Sequence, residues 1–451
     1  MRLITLLIFV IGIIGGIFFY MRFIINQDYY AYIQLQGDRY QAMRASWEAN
    51  YRHNARRAFR KLREEGCQEM QVAYSGASCM STRTDCFDNL HTNNIRHNPQ
   101  CIHWGGQYLD TPESVRGVYL TSYAVGDANI RSRILKLISE TEINTVVIDI
   151  KESDGIVATE LGDYDHIPFQ KEMMPGIDTL LEKLYNQRVY TIARIVLFKD
   201  QKWAEAFPED AVKRKDDPTR VWKDYRGKTY IDPGSDAYRA YLIALSLRIH
   251  QMGFDEIQVD YIRFPSDGDT ANTYYPYSQN ALDTLGAMNG RVAVLEEFMR
   301  DYTEALRAVY PDIVLSADTF GMTTSLNNDL SIGQMQKSFM EYFDFVSPMV
   351  YPSHYPKFFI ALEGHPDNHP YEVVYKAMND GVLKAQRAGQ DPNKLRPWLQ
   401  DFTCTWCTGY FPYGAEEVRA QIKATYDAGL DSWLLWNAGS RYTRGALKGA
   451  E

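Results

Sequence analysis

Seven of the short apolar runs in this sequence end in side chains able to do chemistry. They read Val-Val-Ile-Asp149-Ile-Lys151, Ile-Ala-Arg194, Gln258-Val-Asp260-Tyr261-Ile-Arg263, Ser-Ala-Asp318, Met-Val-Tyr351, Trp398-Leu-Gln400-Asp401 and Leu-Leu-Trp436-Asn437. Paired carboxyl groups can cleave a glycosidic bond, one protonating the leaving oxygen while the other attacks or activates water. Aromatic faces add a surface for the apolar C–H side of a sugar ring. Asp260 leads the candidates because Gln258, two residues earlier, shares its face of an extended run. Asp318 on the next run is its natural partner, Asp401 and Asp149 follow, and Arg194 could orient a carboxylate or a hydroxyl through its planar donor fork. An aspartate at a strand end also serves as a turn or cap residue. Asp154 and Asp267, each just before glycine, belong to that class.

Such residues act together only if the chain brings the run ends to one place. From residue 117 onward, eight apolar runs fall at 117–122, 145–150, 189–197, 256–262, 313–318, 345–351, 396–402 and 432–437. Amphipathic helical patterns separate them, at 129–140, 177–186, 236–252, 291–310, 332–342, 371–388 and 415–428. Near-continuous Val, Ile and Leu runs suit parallel strands covered on both faces. Gly253, Gly389 and Gly429 close three helices, where a left-handed turn into the next strand is needed. Eight alternating units predict an α/β fold, a (β/α)8 TIM-type barrel with its site at the carboxyl ends of the strands. The long segments 198–235 and 265–289 would then wall the site.

The rest of the chain carries fewer signals. Residues 3–20 form an uncharged apolar run between Arg2 and Arg22, long enough to span a bilayer, and no small-residue cleavage site follows it. The expected organisation is therefore a membrane anchor at 1–25, a helical linker at 26–66, an irregular cysteine-containing module at 67–115 and the barrel at 116–451. The linker helix is expected to pack near the gap left by a missing eighth barrel helix. Cys67, Cys79, Cys86 and Cys101, with the separate pair Cys404 and Cys407, make an even count that suits disulfides and an extracytoplasmic location. A net charge of -9 with no basic stripe argues against nucleic acid as a partner. No cofactor is implied, since no glycine-rich phosphate loop follows the first strand. His354, His365 and His369 lack the short helical spacing of a metal site.

Residues 116–444 resemble a bacterial family of unknown function described as glycosyl hydrolases, through Arg-Gly-Val-Tyr-Leu-Thr at Arg116, Val-Ile-Asp149-Ile-Lys-Glu-Ser-Asp-Gly, Ala-Arg194-Ile-Val, Asp255-Glu-Ile-Gln-Val-Asp260-Tyr-Ile-Arg263-Phe-Pro, Ser347-Pro-Met-Val-Tyr351-Pro-Ser-His-Tyr and Trp433-Leu-Leu-Trp436-Asn437. That family is similar to the alpha-amylase-type barrels. The resemblance implies a nucleophile at Asp260, a general acid at Asp318 and a stabilising aspartate at Asp401. This chain departs from the alpha-amylase pattern in having aspartate at the acid position and Gln258 where that pattern has arginine. Residues 404–412 look like an insertion relative to the family. The expected function is cleavage of an extracellular or envelope polysaccharide, with Asp149, Lys151, Arg194, Tyr261, Arg263, Tyr351, Trp398, Gln400, Trp436 and Asn437 binding substrate. Two other readings use the same residues: a non-catalytic glycan-binding barrel, and a metal-dependent hydrolase built on Asp149, Asp260 and His354.

Overall fold

In a computed structural model of the protein, residues 108–161, 167–407, 409 and 411–450 are described. The anchor, the helical linker with its expected packing, and nearly all of the cysteine module lie outside them. Among the described residues, no helix is long and apolar enough to cross a membrane.

Among the described residues ten strands form: β1 (Arg116–Leu120), β2 (Thr145–Lys151), β3 (Tyr190–Val196), β4 (Lys213–Arg214), β5 (Glu256–Asp260), β6 (Thr273–Tyr274), β7 (Val314–Phe320), β8 (Phe345–Val350), β9 (Trp398–Gln400) and β10 (Trp433–Trp436). Eight of them close a parallel barrel in the order β1-β10-β9-β8-β7-β5-β3-β2. The eight expected runs are thus all present and in sequence. β5 stops at Asp260 because Tyr261 turns left-handed, with φ 54°. β9 begins only at Trp398, after Pro397, which has no N–H to give the ladder.

The helices are α1 (Ser122–Gly126), α2 (Ala128–Glu140), α3 (Ile177–Asn186), α4 (Gln201–Ala206), α5 (Asp236–Gln251), α6 (Gln279–Leu285), α7 (Ala287–Val309), α8 (Gln336–Tyr342), α9 (Pro370–Arg387) and α10 (Ala415–Asp427). In α2, Ile134, Leu137 and Ile138 recur at helical spacing and are buried, and the Asp127 carboxylate caps the first turn through the N–H groups of Asn129 and Ile130. α8 begins later than its apolar pattern. Leu330, Ser331 and Gly333 have positive φ, and the Asp329 carboxylate accepts from Ser331 and Gly333 in a turn.

Gly253, Gly389 and Gly429 all have positive φ at the ends of their helices, as the sequence predicts. At Gly389 φ is 68° and no atom lies within 4 Å of an added Cβ, so a substitution there tests backbone conformation alone. Gly389→Ala should cost about 1 kcal/mol in urea unfolding. An unchanged or higher midpoint would show that this turn does not require glycine.

The two long segments at the carboxyl ends of β3 and β5 are tied together. β4 pairs antiparallel with β6, and the buried Asp232 carboxylate accepts from the backbone N–H groups of Gly234, Tyr277 and Ser278. After β10 the tail returns to the other end of α2. Gly449 bridges Thr141, and Glu142 accepts from Arg419 at 2.8 Å and from the Lys448 N–H at 2.9 Å.

Most of the core lies between the strands and the helices, while a smaller cluster of Tyr119, Val147, Tyr190, Ile192, Tyr351, Trp398 and Leu434 fills the barrel interior. Polar layers lie above and below it. At the amino end of the strands, Arg396 and Glu256 form a fully buried ion pair, with Ser316 donating to the same carboxylate. At the carboxyl end lies the group described next.

Candidate active site

Counting along each strand places Asp149 two residues beyond Val147 and Arg194 two beyond Ile192 of the interior cluster, and Asp318 two beyond Ser316, which donates to the buried Glu256. All three, with Asp260 at the end of β5, meet at the carboxyl end of the barrel. Arg194 joins them. Its Nη1 donates to Asp149 at 2.5 Å, its Nη2 to Asp260, and its Nε lies 3.6 Å from Asp318 Oδ2. One guanidinium is thereby shared among three carboxyls from three different strands.

Aromatic rings enclose this group. Tyr119 donates to Asp149 and stacks on Trp436 with centroids 3.8 Å apart. Trp436 meets Trp398 edge-on at 5.6 Å. The Arg194 guanidinium lies 5.3 Å from the centre of Trp436 and 5.8 Å from that of Tyr119. Trp398 Nε1 donates to Asp318 Oδ1 at 2.7 Å.

Little solvent reaches these charges: Asp149 and Asp260 are 5% exposed and Asp318 only 1%. Burial pushes the Asp318 carboxyl well above the ordinary carboxylate range, and repulsion from Asp260 adds to the shift, while Arg194 and Trp398 oppose it. Burial also raises Asp149, against the pull of Arg194 and Tyr119. Burial works against the Arg194 charge, but Asp149 and Asp260 overcome it and hold the guanidinium well above its usual value. Asp318 Oδ2, beyond hydrogen-bond reach of Arg194, is the oxygen able to carry a proton. Asp260 accepts from Arg194 and from the Tyr261 N–H at 2.5 Å. The arrangement offers a carboxyl biased toward its protonated form beside an accepting one, which is what acid–base or nucleophilic cleavage needs.

Other residues singled out by the sequence go elsewhere. The Asp401 carboxylate accepts from Thr443, Oγ1 at 2.6 Å and N–H at 2.9 Å, so it fastens the loop after β10 instead of joining Arg194. Asn437 serves the same loop, donating to the Asp401 carbonyl and accepting from Gly439. Gln400 bonds Ser353, Asp367 and the Phe402 carbonyl, anchoring loops after β8 and β9. A register shift between Asp149 and Lys151 sends Lys151 to a fully buried ion pair with Asp200 at 2.8 Å. Arg263 lies over the ring of Tyr261 at 4.7 Å, with Lys199 5.1 Å from the centre of the same ring. These two cations flank the aromatic that follows Asp260. Tyr351 remains beside the carboxylates: burial raises its phenol well above the ordinary value, and Asp318 and Asp260 add to the effect.

Three contributors escape the sequence reading. Tyr119 could have been found by extending the period of two through β1. Glu152 sits at the rim, accepts from Ser122 and is raised mainly by burial; it lies one residue past its strand, where alternation no longer predicts direction. Tyr442 reaches back to donate to the Tyr119 carbonyl, a link that nothing local encodes. The histidines show no shared focus. His354 contacts Ser353 at 2.8 Å, and among the described residues no three His, Cys, Asp or Glu side chains are grouped to hold a metal.

The comparisons agree with this architecture. No curated protein matches the chain. A hypothetical protein from Ruminiclostridium thermocellum ATCC 27405 is 31% identical, over 45% of this chain and 96% of its own, with a TM-score of 0.38. The PgaB (BpsB) glycoside hydrolase domain from Bordetella bronchiseptica has a TM-score of 0.54 at 12% identity, over 74% of this chain and 99% of its own, a likeness of fold. A family model matches residues 117–442, the span of the whole barrel, and the chain therefore belongs to the family described as "Putative glycosyl hydrolase domain".

Proposed function

We propose that the barrel hydrolyses a glycosidic bond of an extracellular or envelope polysaccharide, with Asp318 as general acid and Asp260 as nucleophile or base. One observation carries the reading: three strand-end carboxyls converge on one guanidinium, and burial biases the most deeply buried of them toward its protonated form. Asp318 gives its proton to the leaving oxygen as the C–O bond breaks and the bonding pair moves to that oxygen. Either Asp260 takes a proton from a water that attacks the anomeric carbon, or Asp260 attacks it to form a glycosyl ester that a water then cleaves, giving its proton to the Asp318 carboxylate and freeing Asp260; in both routes that water supplies the hydroxyl of the new reducing end. Positive charge developing on the sugar is met by Asp260 and Asp149, while Arg194 keeps the two carboxylates at fixed separation. A metal-assisted route fits less well, since Arg194 occupies the place between the carboxyls that a cation would take.

The location belongs to the same proposal. It is supported by the apolar segment 3–20 and by the Cys404–Cys407 disulfide, which suits an oxidising compartment. The test is to incubate the full chain with a polysaccharide panel and measure both binding and release of reducing ends. Release supports hydrolysis, and the anomer formed first identifies retention or inversion. Binding without release would replace the hydrolase by a glycan-binding barrel, and neither would remove carbohydrate from the account.

A further inference from the structure

We propose that Trp406, in the turn closed by the Cys404–Cys407 disulfide, is the stacking platform of an outer sugar subsite beyond the carboxylates. The inference rests on the carbohydrate reading above and adds a site to it.

Every other tryptophan among the described residues is buried or half-buried, whereas Trp406 is 73% exposed. Exposing an indole forfeits the burial that normally justifies it. The ring is not isolated. It lies parallel to Phe402, with an interplanar angle of 0° and centroids 6.2 Å apart. Phe402 in turn meets Tyr351 edge-on at 5.8 Å, and Tyr351 is the ring whose phenol feels Asp318 and Asp260. A row of aromatic rings therefore runs from the carboxylates out to solvent.

The wall that carries this row is braced on both sides of Trp406. Cys404 is fully buried and bonded to Cys407, and the Cys407 N–H donates to the Cys404 carbonyl at 3.1 Å. Beyond the disulfide, the buried Asp367 carboxylate accepts from Phe411 N–H at 3.0 Å and from Gln400 at 3.1 Å. The Tyr413 N–H donates to Thr403 Oγ1 at 3.1 Å. A disulfide spanning three residues contributes little to whole-domain stability through chain entropy, which grows with loop length. It does restrain the short exposed turn, Thr405 and Trp406, between its cysteines. A rigid, pre-placed ring binds with little ordering cost, and a flat indole face matches the C–H face of a pyranose. A single exposed ring is far smaller than the patch a stable protein partner needs.

The probes are the trioses and hexaoses of β-1,4-glucose, α-1,4-glucose and β-1,4-N-acetylglucosamine, offered to the full chain in calorimetric binding and reducing-end assays. Wild type should favour the hexaose of the sugar it recognises. Trp406→Ala should weaken hexaose binding about three- to tenfold, with a smaller loss on the triose, and Trp406→Phe should restore part of it. The Cys404→Ser/Cys407→Ser double variant should shift in the same direction. Hexaose binding equal in Trp406→Ala and wild type overturns the platform while leaving the hydrolase reading intact. A Trp406-dependent length preference without bond cleavage supports the platform and removes the hydrolase. Failure of wild type to bind any of the probes overturns both.

Discussion

Asp318→Asn should lower turnover about 10²- to 10⁴-fold on natural glycosides, the usual contribution of a positioned general acid, and far less on aryl glycosides whose leaving group departs without a proton. An amide at this position can still accept the Trp398 hydrogen bond seen at 2.7 Å, so the fold is kept and the proton donor alone is lost. The pH profile should change with it. Asp318 works in its protonated form, so activity falls as pH rises through its elevated pKa, and this basic limb should vanish from the aryl glycoside profile of the variant. Asp260→Asn behaves differently, because attack at the anomeric carbon is needed whatever the leaving group; it should fail on both substrates. Equal losses of Asp318→Asn on good and poor leaving groups would take the acid role from Asp318. Glu152, raised by burial at the rim, would be the next carboxyl to examine.

The barrel was legible because parallel strands buried on both faces leave long Val, Ile and Leu runs, and because helix ends need glycine at defined points. The short pieces were not: α4, α6, β4 and β6 are too brief to show a period, and tertiary bonds such as those to Asp232 hold them. Within the site, position at a strand end picked out Asp149, Arg194, Asp260 and Asp318, whose side chains meet. The same strand-end signal also marked Asp401, Gln400, Lys151 and Asn437, whose side chains bond elsewhere. What separates the two sets is the identity of partners distant in sequence, Thr443 for Asp401 and Asp200 for Lys151, and a strand's local pattern holds no information about them. At Gln258 the partners are likewise distant in sequence: Arg194 on the adjacent strand pairs with it in register, and its side chain donates toward Ser347 at 3.3 Å.

Arg194 is also the site of the second large effect. Arg194→Met should destabilise the fold by about 3–5 kcal/mol at neutral pH, the range found when one partner of a buried charge group is removed. Methionine fills much of the volume, so the loss comes mainly from Asp149, Asp260 and Asp318, left buried without their shared cation. Those carboxyls can escape the penalty only by taking up protons. Removing the guanidinium therefore raises the folded pKa values of Asp149 and Asp318, already above the unfolded ones, still further. A carboxyl with a raised folded pKa contributes full stability below its unfolded value, near pH 4, and loses it as pH climbs through the folded value. The gap between Arg194→Met and wild type should accordingly narrow toward pH 4 and widen toward pH 7 in urea unfolding. A gap that stays constant across that range would mean that the arginine stabilises by packing against Tyr119 and Trp436 and not by holding the carboxylates together. The shared-guanidinium account of the site would then fall with it.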